Sequence, residues 1–251
     1  MQRREVAAEA PRVPEPRLSG NRLALAGAVL YFLEWVAILG FGAGTVPTDP
    51  GTSPKDIVAE YSGHATAIAL AAGWYSLVLP GRVLFVAGVR AALGRGSVSA
   101  LTTFAVATMA VSVVLEIGAF MLAGGAGYAA THGADQSTIV GLDAVSNWLD
   151  LAIWAPIGLS VLGLSLAMLQ ARAFWRWLCW LGVVAGLISC VHGVVAGPVF
   201  GIASLQDVTQ AVSTVGVLGF WAWMLVTAVV VLRAPGVSAL AADVTQAIRK
   251  T

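Results

Sequence analysis

Residues 142–168 read LDAVSNWLDLAIWAPIGLSVLGLSLAM. Beyond Asp150 the stretch carries no charge, and about 20 apolar residues suffice for a helix to cross a hydrocarbon core. Its first half holds Asp143, Asn147, Asp150 and Trp154, spaced 4, 3 and 4 residues apart. At about 100° per residue these four fall within about 60° of one another, on one helix stripe. A stripe so polar inside a span must face the bundle interior or a water-filled cavity. The segment therefore predicts a membrane helix with a polar inner face.

Five more segments read as spans: 22–42, 66–90, 98–123, 174–198 and 208–232. The expected fold is an all-α integral membrane bundle of six transmembrane helices. Composition agrees, with 58% hydrophobic and 11% charged residues and a mean hydropathy of +0.84. A soluble domain with that balance could not cover its surface with polar groups. Of the 14 Lys and Arg, nearly all fall on one side, Arg22, Arg90, Arg95, Arg172, Arg176 and Arg233 among them. Lys55 falls on the other side, and Arg82 lies within a span. The positive-inside rule then makes both termini cytoplasmic, in a bacterial plasma membrane.

Around the membrane domain, 21–234, the expected organisation is a disordered cytoplasmic tail, 1–20, and an amphipathic cytoplasmic tail, 235–251. Leu240, Val244 and Ile248 recur at helical spacing in the latter. A net charge of +1 gives no case for nucleic acid. Cys179 and Cys190, on one predicted helix, stand roughly 16 Å apart, too far for a disulfide. In the outer loop 43–65, Ser53-Pro54-Lys55-Asp56 is a helix start, with Ser as cap and Pro in the first turn. It predicts a short interfacial helix whose Ile57, Val58 and Tyr61 share a face.

Phe174, Trp175, Trp177 and Trp180 flank Arg176 as an aromatic belt. Trp35, Trp74, Trp148, Trp154 and Trp221 instead sit several residues inside their spans. The stretch Phe174-Trp175-Arg176-Trp177-Leu178-Cys179-Trp180-Leu181-Gly182 resembles the start of a late helix in uncharacterised actinobacterial multi-pass membrane proteins. Ser53-Pro54 followed by Tyr61-Ser62-Gly63-His64 is similar to that group's approach to its second helix. The group has no assigned chemistry.

Four carboxylates lie inside apolar stretches: Glu34, Glu116, Asp143 and Asp150. A charge at the centre of a membrane helix costs roughly 2.5–3.5 kcal/mol on insertion scales, so such residues mark function by default. Counting from the span ends places Glu34 near the midplane, and Glu116, Asp143, Asn147, Asp150 and His192 in the outer half. These residues are expected to line one cavity with Trp154, and Tyr31 flanks Glu34. Arg82, just past Pro80-Gly81 where a kink is expected, is predicted to pair with one of the carboxylates, Glu34 foremost. A single histidine in the bundle argues against a three-ligand zinc site, so no metal or cofactor is expected. The spans lack a lysine that could hold retinal, and no GxSxG or phosphate-binding loop is present.

Buried acids among aromatic rings predict an enzyme, of isomerase or lyase class, that cyclises an isoprenoid chain after protonating an alkene or epoxide. Glu34, Glu116, Asp150 or Asp143 would be the acid. The five deep tryptophans, Tyr31, Asn147 and His192 would contact substrate. In size, helix-only build and buried acids the chain resembles the membrane-bound terpene cyclases of natural-product pathways, a likeness of general character that carries over no catalytic residue. The partners expected are a lipophilic small molecule and the lipid bilayer. A proton- or cation-coupled carrier and a structural protein with a buried ion-pair network are the competing readings. Against the carrier stands the lack of an inverted repeat or a pair of broken helices in the sequence.

Overall fold

The structure, a computed structural model, describes residues 20–43, 46–49, 51–93, 99–172, 174–199 and 203–233. The predicted tails, apart from Gly20, lie outside these residues. Nine helices form among the described residues: α1 (Gly20–Phe32), α2 (Glu34–Gly40), α3 (Pro54–Val78), α4 (Pro80–Leu93), α5 (Ser99–Thr131), α6 (Gln136–Ala152), α7 (Trp154–Ala171), α8 (Arg176–Val199) and α9 (Ala203–Arg233). By length and composition they make six spans able to cross a membrane: Gly20–Gly40, Pro54–Leu93, Ser99–Thr131, Gln136–Ala171, Arg176–Val195 and Thr214–Arg233.

The spans close a ring in chain order. α1 packs along α4, α4 along α5, α5 along α7, α7 along α8, α8 along α9, and α9 returns along α1. Lipid tails are as apolar as leucine, so close van der Waals packing and interhelical hydrogen bonds must hold the ring. At α1 and α4 the backbones nearly touch. A Cβ on Gly27 would collide with the backbone of Phe85, and one on Gly88 with the backbone of Ala24. Ser146 Oγ donates to the carbonyl of Ala119 at 2.8 Å and Ser160 Oγ to that of Ala105 at 2.7 Å, tying α6 and α7 to α5. Arg22, Arg90, Arg172, Arg176 and Arg233 gather at one end, the basic end; Asp49, Asp56, Glu60 and Asp135 stand at the other.

Two expectations need correction. No separate interfacial helix follows Ser53. Its hydroxyl does cap the helix, accepting from Asp56 N at 3.2 Å, but α3 then runs unbroken into the second span. Ile57 and Tyr61 are buried with Ile68, Ala123, Ala126 and Ile139. Packing between α3, α5 and α6 thus carries helix past the apolar stretch, and the connection between the expected spans 98–123 and 142–168 shrinks to the turn between Thr131 and Gln136. α5, with 33 residues, is about 50 Å long, against a hydrocarbon core of about 30 Å.

The second correction concerns continuity. Three spans are interrupted: at Leu79, where the Pro80-Gly81 kink was expected, and also at Leu33 and Ile153. Pro80 and Pro156 lack the N–H that would bond four residues back and crowd that carbonyl, which breaks the ladder before each. At Leu33 a side chain intervenes: Trp74 Nε1 donates to the Leu33 carbonyl at 2.7 Å. Among these residues that carbonyl also accepts from Val36 N, three residues on, at 3.1 Å.

A polar cavity walled by aromatic rings

The three interruptions surround one cavity of about 180 Å³. Glu34 reaches it from the first turn of α2, Arg82 from α4, Glu116 from α5 and Asp150 from the end of α6. Irregular backbone at membrane depth is tolerated where it lines a cavity or is buried in protein, and here the breaks turn polar side chains inward together. The rest of the wall is largely aromatic: Tyr31, Tyr75, Phe120, Trp154, Phe220 and Trp221. Tyr75 and Phe120 are stacked with centroids 3.8 Å apart.

Arg82, with 1% of its surface exposed, donates from Nη2 to Glu116 Oε2. Arg82 thus pairs with one of the buried carboxylates as expected, but the partner is Glu116 and not the favoured Glu34. α4 and α5 are direct neighbours, and the ring of Tyr31 lies against the guanidinium, 5.1 Å from Cζ. Among the described residues, Arg82 Nε is buried without a hydrogen-bond partner. Tyr31 accepts from Trp221 Nε1 at 3.1 Å, joining α1 to α9. Among the described residues neither Glu34 nor Asp150 forms a salt bridge.

Asp143 and Asn147 do not share this cavity, contrary to expectation. Asp143 Oδ1 accepts from Thr48 N at 2.9 Å and Tyr61 Oη at 2.8 Å, and Oδ2 from Thr48 Oγ1 at 2.8 Å and Asn147 Nδ2 at 3.2 Å. They line a separate recess of about 120 Å³ with Asp49, Thr52 and Trp148. The stripe on the fourth span is real, but seven residues separate Asp143 from Asp150, about 10 Å along the axis. That rise carries one acid to the bundle end and leaves the other inside.

His192 is also outside the cavity. It is buried behind Trp154, with ring centroids 5.1 Å apart and planes at 90°, and its Nδ1 has no hydrogen-bond partner among the described residues. Of the five deep tryptophans, only Trp154 and Trp221 line the cavity. Trp35 backs Trp221 at 4.7 Å, edge to face, Trp74 serves the Leu33 break, and Trp148 is 56% exposed. Trp175, Trp177 and Trp180 are exposed at the basic end, as an aromatic belt requires. No group of three or more His, Cys, Asp or Glu among the described residues is placed to hold a metal ion.

Sequence reasoning passed over Tyr75, Phe120 and Phe220 as wall residues, and it overlooked Trp223. Trp223 is fully buried against Phe85, centroids 5.7 Å apart, on the face of α9 nearest the ring's interior. The small residues opposite supplied the available signal, since Gly182 leaves room for the Trp223 indole. Fold and cavity together define the class: among the described residues, a helical bundle with six spans long and apolar enough to cross a membrane, and a polar, aromatic-walled cavity at the level of its helix breaks. Comparison of the chain with protein-family models, curated proteins and solved structures finds no match.

Proposed function

We propose that this chain is an integral-membrane enzyme that begins the cyclisation of an isoprenoid chain by protonating an alkene or epoxide. The supporting observation is a cavity in which Glu34 and Asp150, neither held in a salt bridge among the described residues, face a wall of six aromatic rings. Glu116 is engaged by Arg82 and Asp143 by four donors, so Glu34 and Asp150 are the candidate acids. The carboxyl proton would form a C–H bond with the alkene π-pair and leave a cation on the adjacent carbon. With an epoxide the proton goes to oxygen and the C–O bond breaks. Ring faces stabilise the cation, and return of a proton to a carboxylate ends the sequence. A cavity of roughly 150 Å³ admits benzene, so about 180 Å³ suits one ring-forming unit at a time. The basic end would face the cytoplasm of a bacterial plasma membrane.

The test is product formation by purified, monodisperse protein from a prenylated substrate and its epoxide, followed by mass spectrometry. Glu34→Gln and Asp150→Asn keep shape and remove the transferable proton, and at least one should lower turnover on the order of 10²-fold or more. Parental rates in both variants would overturn the reading. Interruption of three spans at the cavity favours a second reading, a carrier. Uptake into proteoliposomes without chemical change of the solute would select it.

A further inference from the structure

The cavity holds one guanidinium against three carboxyls, Glu34, Glu116 and Asp150. The guanidinium is already occupied: Glu116 takes its Nη2 and the Tyr31 ring lies against its face. What remains facing the space is two carboxyls and five further rings. A charge buried at membrane depth is costly unless paired, and an aromatic box with a carboxylate is the chemistry that takes up quaternary ammonium groups. The cavity also reaches the bundle surface. Ile38, which lines it, is 47% exposed, and Val217 of α9 lines the cavity too. Both are apolar, and the spans they belong to are apolar enough to meet lipid.

We propose that this cavity binds cationic amphiphiles, with an ammonium head between Glu34, Asp150 and the aromatic wall and an alkyl tail leaving between Ile38 and Val217 toward lipid. The volume fits this occupant. About 180 Å³ accepts a head of ring size and excludes a whole polycyclic or long-chain molecule, so a tail has to lie outside. The inference deepens the proposed function, because an ammonium group mimics the charge of a cyclising carbocation, but it rests on charge and shape rather than on turnover.

The experiment uses the full chain in lipid nanodiscs, titrated with octyltrimethylammonium. Its uncharged carbon isostere, 2,2-dimethyldecane, and octyl sulfate are the controls. Trp154 and Trp221 in the wall make intrinsic fluorescence the readout, with the thermal midpoint as the second. Saturable quenching and a raised midpoint are expected for the ammonium alone. Glu34→Gln and Asp150→Asn should each weaken binding about tenfold or more, since either removes a carboxylate from a low-dielectric site. Trp148→Phe, at an exposed position outside this cavity, should bind as the parent does. Ile38→Trp should weaken octyltrimethylammonium more than tetramethylammonium, which has no tail to pass. Equal binding of the isostere, or parental affinity in both acid variants, overturns the proposal. Ammonium binding in a protein that turns over no isoprenoid supports this site and removes the enzymatic reading; turnover without ammonium binding does the reverse.

Discussion

Asp143 and Asp150 occupy the same helix, α6, on the same stripe, and do opposite things. Asp143 is enclosed by four donors drawn from a loop, from α3 and from its own helix. It pins the Thr48 segment over the end of the bundle. Asp150 sits three residues before the break at Ile153, faces a cavity and forms no salt bridge among the described residues. A carboxylate saturated by donors is held in one place with no lone pair to spare. One that faces open volume is available to a ligand or a proton. Residue type and burial do not separate the two roles; the supply of donors does.

The comparison extends to Glu116, which is held by an ion pair with Arg82. Arg82→Met should produce the largest loss, about 3–5 kcal/mol of stability, because breaking a buried pair leaves the other charge uncompensated. Replacing both partners, as Arg82→Met with Glu116→Leu, should recover most of it. Denaturation in detergent measures both, and an unaltered midpoint in the single variant would move Glu116 into the open class.

Asp143→Ala comes next. It strands buried donors, each costing about 1–3 kcal/mol when left unmade, so a loss on the order of 2–3 kcal/mol is expected, with increased proteolysis near Thr48. Asp150→Asn should change stability by about 0.5 kcal/mol or less, as substitutions without a lost partner do. Equal effects at the two positions would erase the distinction drawn between them.

The smallest effect is expected at Asp135, a third acid of α6 that stands outside the spans. Its side chain caps the helix, accepting from Thr138 N at 2.9 Å and from the Ser137 hydroxyl. Those bonds, the one from Ser137 foremost, hold its carboxyl at about 2, below the ordinary 3.8. A carboxyl depressed on folding contributes stability that is present above its unfolded value and is lost as pH falls toward the folded one. Asp135→Asn should therefore lower the thermal midpoint slightly at neutral pH, with the difference from the parent fading between 3.8 and about 2. A difference constant across that window would show that charge plays no part in the cap.

Much of this was legible in the chain. Continuous apolar runs predicted six spans and six are found, and Ser53 caps its helix as its neighbours foretold. Helical phase placed Asp143, Asn147, Asp150 and Trp154 on one face. Phase sets direction around an axis, but it does not fix which neighbour lies opposite, nor at what height. Thr48 is 95 residues from the carboxylate it binds, and no local pattern announces such a partner. Arg82 had carboxylates on several helices within conceivable reach, and the rotation of α4 against α5 chose Glu116.

The breaks make the same point from the backbone. Pro80 and Pro156 announced two of them in principle, since each lacks a donor, while the one at Leu33 depends on Trp74 arriving from another helix. By itself, then, the sequence determined that this chain forms apolar helices of membrane length and carries acids inside them, because hydropathy and period are local properties of a strand of residues. Only the tertiary structure decided which acids are saturated and which face a cavity, because that depends on donors brought together from helices far apart in the chain.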